Sequence, residues 1–321
     1  MRPGGKGDNR PDRPIRPPTN RPIVNNPVIN TGNQVNNNII NRQPNWVNIN
    51  NTTINNVHNN WNNAITNRQQ MHNWITNNPN RYRYWTHWGD GIRNNWRYYN
   101  RHNNWFGGNW WSRYHPAWCG WHYRYWLPYY PYSYWWTVPT WVGITNWFNW
   151  STPTWQQPVY YDYGTGGNVT YQNNQVYVGG QQVASSGDFA QSAAALATVD
   201  PPKDEEQAAA VEWMPLGTFA MSTGEKDTEP TRVIQLAVTK DGIIGGTLFN
   251  YQTDQTVTIQ GRVDKATQRV AFRVGENDNL VAETGMYNLT KDEVPVLVHF
   301  GTGKTENFLF IRLSNDEVDG K

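Results

Sequence analysis

Between Trp213 and Leu313 the chain is cut into eight short segments: LGTFAM, TRVIQLAV, IIGGTLFNY, QTVTIQGRV, QRVAFRVG, LVAETGMY, VPVLVHF and NFLFIRL. The text between them is turn chemistry: Thr223-Gly224, Lys240-Asp241-Gly242, Thr253-Asp254, Asp264-Lys265, Glu276-Asn277-Asp278, Lys291-Asp292 and Gly301 to Gly303. None of these separators can hold the helix that a parallel crossover needs, so successive strands must run antiparallel. The spacing predicts an antiparallel β domain over 213–321, a meander closed into a barrel or curled into a strongly twisted sheet. Alternation such as Val257, Ile259 and Val263, or Val270, Phe272 and Val274, gives the strands one buried face.

A second period-two region precedes it. Val169-Thr170-Tyr171, an Asn173-Asn174 turn, Val176-Tyr177-Val178 and Gly179-Gly180 read as a hairpin with a further turn, because both dipeptides tolerate the positive φ that tight hairpins require. Ser185 and Asp188 have capping-box spacing. They introduce a helix running to about Ala197, with Phe189, Ala193 and Leu196 on one face, expected to pack on the edge of the β domain or over an open end. Pro201-Pro202 ends it before a short acidic, alanine-rich helix, Lys203 to Val211. Residues 159–212 are thus a β-hairpin and helical connection.

Upstream the composition changes. Asn supplies 25 of the first 80 residues and 18 of the 19 Trp lie between Trp46 and Trp155. Residues 1–50, rich in Asn, Pro and Arg, carry too little apolar surface to offset ordering entropy and are expected to form an extended arm. In 51–158, Ile54, Val57, Trp61, Ile65, Met71 and Ile75 follow one face of a helix, capped at Thr52 or Thr53. A turn at Gly89 to Gly91 and the set Ile92, Trp96 and Tyr99 suggest a second short helix, so that the two could form a hairpin. Pro116, Pro128, Pro131 and Pro139 break the aromatic run that follows into irregular pieces. The expected fold is mainly β, with an α and irregular aromatic-rich N-terminal region.

Charge divides the chain as well. The first 125 residues hold 14 Arg, one Lys and three acids, a net of +12, against 12 bases and 22 acids in the remainder, a net of -10. Oppositely charged segments on identical chains can pair head to tail, which makes a homo-oligomer one expected partner arrangement. Cys119 is the only cysteine, so an intrachain disulfide is excluded. Met1 to Arg21 lacks the apolar stretch of a secretory signal, and the sequence contains no transmembrane segment.

Chemistry is sparse. His115, Cys119 and His122, with His102 as a fourth, have donor types and spacing that could hold Zn or Cu; otherwise no cofactor is expected. Trp110, Trp111, Trp118, Trp121 and Trp126, with Arg113 and Arg124, have the composition of a stacking surface. Flat rings among amide and guanidinium donors suit a sugar polymer, and the same block could stack single-stranded nucleic acid, although no RNP, KH or zinc-finger signature accompanies it. The alternative is that these rings form an aromatic core. No hydrolase elbow, zincin, phosphate-loop or dinucleotide motif occurs, and no catalytic residue is assigned. Asp162, or Asp292 and Glu293 with His299, lack a nucleophile and read as solvated turn carboxylates.

The words YYDYGTGGNVTYQNNQVYVGGQQVASSGDFAQSAAALATVD, EWMPLGTFAM, VIQLAVTKDGIIGGTLFNY, VDKATQRVAF and ETGMYNLTKDEVPVLVHF resemble a group of planctomycete surface-type proteins labelled mu-protocadherin or cell-surface protein. The resemblance extends over roughly residues 55 to 313, including NWFGGNWWSRYHPAW, and includes no acidic calcium-binding cadherin motif. It implies an envelope or extracellular setting with a signal peptide. Together these readings give a non-enzymatic surface or envelope interaction protein whose partner is an envelope polymer or surface protein, with carbohydrate binding and single-stranded nucleic-acid binding as alternatives.

Overall fold

The computed structural model describes residues 46–48, 50–96, 105–106, 110, 132–150, 153–199, 205–275 and 280–314. The first helix, α1 (Asn51–Ala64), is capped by Asn50, whose Oδ1 accepts from the Thr52 and Thr53 amides at 2.9 and 3.4 Å. The expected cap thus lies two to three residues earlier than Thr52 or Thr53, because an Asn side chain reaches the second and third amides of the helix. Asn50→Ala is expected to cost about 1 kcal/mol, read by thermal denaturation; an unchanged midpoint would show that packing alone holds this end.

The apolar stripe does not continue as one helix. Asn67 restarts the chain, its Oδ1 accepting from Gln70 N at 3.1 Å, and two short helices follow, α2 (Arg68–His72) and α3 (Trp74–Asn77). The six-residue gap between Ile65 and Met71 marks the break. Pro79 then opens α4 (Pro79–Asn95), which runs straight through Gly89 and Gly91 where a turn was expected. Interior glycine costs a helix only about 1 kcal/mol, and here it permits close approach: a Cβ on Gly89 would lie 3.0 Å from the Glu293 side chain. No α1–α4 hairpin forms, since these helices pack in different places.

Residues Tyr132–Trp136 and Pro153–Gln156 are 3-10 turns flanking α5 (Trp141–Trp147). A three-stranded antiparallel sheet follows, β1 (Val169–Gln172), β2 (Gln175–Val178) and β3 (Gln181–Ser185). Its two turns are those the sequence announces, with positive φ at Asn173, Asn174, Gly179 and Gly180. Ser185 caps α6 (Ser186–Ala197) by accepting from Asp188 N at 3.1 Å, and its hydroxyl donates to Asp188 Oδ2 at 2.8 Å. A short helix, α7 (Glu205–Ala210), leads to the last eight strands.

Those strands are β4 (Trp213–Ser222), β5 (Arg232–Thr239), β6 (Ile243–Asn250), β7 (Gln255–Val263), β8 (Arg269–Val274), β9 (Leu280–Gly285), β10 (Glu293–Phe300) and β11 (Thr305–Arg312). Each pairs antiparallel with the next, and β11 pairs with β4 through Phe310↔Met221 and Ile311↔Ala220, so the meander is a closed barrel. Two strand positions admit no side chain because the neighbouring strand lies too close: a Cβ on Gly246 would lie 2.1 Å from the Gln235 carbonyl oxygen, and one on Gly261 2.0 Å from that of Ala271.

The barrel interior is filled by Leu216, Phe219, Ile234, Leu236, Ile259, Phe272, Val296 and Phe310 and their neighbours. One end is plugged by Ile144, Trp147, Phe148 and Trp155 from α5 and the turn after it; Trp147 Nε1 donates to Val238 O at 3.1 Å and Trp155 Nε1 to Lys265 O at 2.7 Å. Arg312 closes the same region from within, donating to the Leu216 and Leu289 carbonyls and stacking 4.5 Å over Phe219.

Much of the outer wall is covered. Every residue of β4 is buried, because α4 and the rings Trp85, Trp88, Trp96, Phe106, Trp110 and Trp135 cover Trp213, Val233, Phe249, Leu309 and Ile311. The described rings therefore share a core with the outside of the barrel. Helix α6 lies on the wall over β7, β8 and β9, not on an edge or over an end, since closure leaves no edge. Its small residues Ala193, Ala194 and Ala197 sit directly against Ala271 and Val281. α1 packs in turn on α6 and β3.

Candidate functional site

Three places bring chemistry together. The first centres on Asp162, a fully buried carboxylate in the chain leading to β1. Trp74 Nε1 donates to its Oδ2 at 2.9 Å and Trp85 Nε1 to its Oδ1 at 2.8 Å, while Arg81 donates through Nε at 2.8 Å and Nη2 at 2.6 Å. Arg81 also reaches the Tyr163 and Thr165 carbonyls, both at 3.0 Å. Asp162 is therefore no solvated turn residue: α3 and α4 are tied through it to the YGTGG loop. With four donors already on it, the carboxylate is a structural joint.

The second is a charge cluster sealed between α6, α1 and the barrel. Arg269 pairs with Glu283 at 2.7 Å, with side-chain exposures of 5% and 0%, and His299 Nε2 stands 3.5 Å from the same carboxylate. The guanidinium lies against the stacked pair Trp61 and Phe189, 4.0 Å from the first ring and 4.8 Å from the second. Burial alone would raise the Glu283 carboxyl, but Arg269 and His299 outweigh it and hold the group below the usual carboxylate range. His299 thus meets Glu283 rather than Asp292 and Glu293; Glu293 instead accepts from Arg93. With all three side chains shut away from solvent, this cluster is structural.

The third is a cleft of about 780 Å³ between the α1–α3 turn region and the three-stranded sheet. Thr66, Asn67, Gln70, Trp74, Thr170 and Gln181 supply its side chains, and the Gly179-Gly180 turn forms part of its wall. None of the candidate residues read from the sequence lines this cleft. The Asn-Gln text and the two-glycine turn are visible in the sequence, but only the break between α1 and α2 sets them opposite each other.

Of the residues read as candidates from sequence, Trp110 is buried, tilted against Phe106 at 4.8 Å and edge-on to Phe249 at 5.1 Å, a wall position and not an open platform. Trp111, Trp118, Trp121, Trp126, Arg113 and Arg124 lie outside the described residues, as do His102, His115, Cys119 and His122. Among the described residues no three His, Cys, Asp or Glu side chains converge on a metal position, and no helix is long and apolar enough to cross a membrane. No family model matches the chain, and no curated protein or solved structure does.

Proposed function

We propose that this chain is a non-enzymatic interaction protein of the cell envelope or surface, in which the barrel is a rigid body and the basic, aromatic N-terminal region engages a neighbouring polymer or protein. The observation that carries the reading is how the two halves are joined. Bases of the first 125 residues meet acids of the remainder at His58–Asp264 (2.7 Å), Arg81–Asp162 and Arg93–Glu293, and tryptophan covers the barrel wall around them. Side chains that could run a reaction, Asp162, Glu283 and His299, are instead spent on holding this assembly together.

Ten further arginines lie in the sequence at positions 2 to 42 and 97 to 124. Exposed acids sit at barrel turns, among them Glu225, Glu229 and Asp241. Such a pattern favours salt-sensitive association between copies or with a charged neighbour. The likeness to planctomycete surface-type proteins supports an envelope setting. Sedimentation of the full chain at about 50 and about 500 mM salt should show association at the lower concentration that dissolves at the higher, as expected when the Debye length shrinks to a few ångströms. A monomer at both, with nothing retained from envelope extracts, would overturn the reading.

A further inference from the structure

We propose that the cleft between the α1–α3 turns and the β2–β3 turn is a binding site for a neutral oligosaccharide; this rests on the interaction reading above and gives it a ligand class. None of the residues lining the cleft is charged. The charges nearest in sequence are turned away: Arg68, between Asn67 and Gln70, is buried and donates to the Ala266 carbonyl at 2.6 Å, while Arg81 and Asp162 satisfy each other. An ionic ligand would meet no countercharge here. A polyol would meet amides, hydroxyls and one indole, the combination that matches ring hydroxyls and apolar C–H groups.

The site is also preformed. Trp74 is half-buried, and its indole is anchored through Nε1 to Asp162 at 2.9 Å, so the ring is held with one edge already hydrogen-bonded. Asn67 is fixed by accepting from Gln70 N. The opposite wall is the Gly179-Gly180 turn, with φ of +57° and +83°, drawn so close to α1 that a Cβ on Gly179 would lie 3.4 Å from the Ala64 carbonyl oxygen, whereas one on Gly180 would meet nothing within 4 Å. Gln70 and Gln181 remain exposed; Gln70 Oε1 accepts from Asn67 Nδ2 at 3.3 Å, which turns its amide N–H groups outward, and the Gln181 amide is open to a ligand. A volume of about 780 Å³ falls within the range of roughly 300–1,000 Å³ usual for small-ligand sites, room for several sugar rings. Fixed walls reduce the ordering that binding would otherwise require.

The test is calorimetric titration of the full chain with cellotetraose, chitotetraose and maltotetraose, and with the acidic tetragalacturonate for comparison. At least one neutral sugar should bind, and the acidic one no more tightly. The double variant Gln70→Ala/Gln181→Ala removes two exposed amides and no core contact, and should weaken binding about tenfold with an unchanged circular dichroism spectrum. Binding that survives the double variant would place the sugar elsewhere and overturn the cleft assignment, as would failure of every neutral sugar to bind. If the sugars fail while the chain still shows salt-sensitive association or retains an envelope component, the cleft assignment falls and the interaction reading stands.

Discussion

Asp162→Ala is expected to destabilise the fold by about 3–5 kcal/mol, the range for removing one partner of a buried ion pair. The carboxylate is fully buried and takes four hydrogen bonds, two from indoles and two from one guanidinium. Deleting it leaves Arg81, whose side chain is 16% exposed, without a counterion, and strands the Trp74 and Trp85 N–H groups. Asp162→Asn should fare little better. Each carboxylate oxygen accepts from one indole and from Arg81, so the amide nitrogen must face an indole N–H and the guanidinium whichever way the group is turned. Chemical denaturation would show both variants well below the wild type, and an Asn variant within about 1 kcal/mol of it would sink the idea that the charge is needed. Because Trp74 belongs to the cleft, a folded Asp162→Asn protein should also bind neutral sugar less tightly.

Glu283→Ala is the second large effect, again about 3–5 kcal/mol, because it leaves the Arg269 guanidinium charged and buried against two stacked rings. The comparison that isolates this cause is Arg269→Met/Glu283→Leu, which removes both charges at similar volume and should lie near the wild type. If the double variant is as unstable as the single one, packing and not charge is responsible. A pH dependence follows. The folded Glu283 carboxyl lies below its ordinary value of 4.5, so its contribution is complete above about pH 4.5 and is lost as pH falls through the folded value. Wild-type stability should therefore fall more steeply with acidification below that point than the stability of the double variant.

The barrel was legible in the sequence because its signals are local. Period-two text separated by Lys240-Asp241-Gly242 or Asp264-Lys265 fixes strand after strand, and Asn173-Asn174 and Gly179-Gly180 fix both turns of the small sheet. Alternation misleads about the wall, however. It marks Phe272 as core and Ala271 as its opposite, and cannot show that Ala271 is equally buried under α6. The helices were less legible. An amide-rich helix held by its contacts has weak local preference, so Thr66 and Asn67 can break it and Gly89 and Gly91 can lie inside another. The polar sites were illegible for a different reason. Asp162 acquires its partners 77 to 88 residues away, and the cleft exists only where α1 ends beside a turn more than a hundred residues later.

Closure of the barrel by β4 and β11 also orders events at the ribosome. Trp85 and Trp88 are synthesised early, yet the wall they cover includes Leu309 and Ile311, which arrive roughly 220 residues later. At about 5–20 residues per second those indoles wait on the order of tens of seconds for their surface. The N-terminal region is thus made first and completed last, and a nascent chain of this kind depends on whatever shields its tryptophans until the final strand emerges.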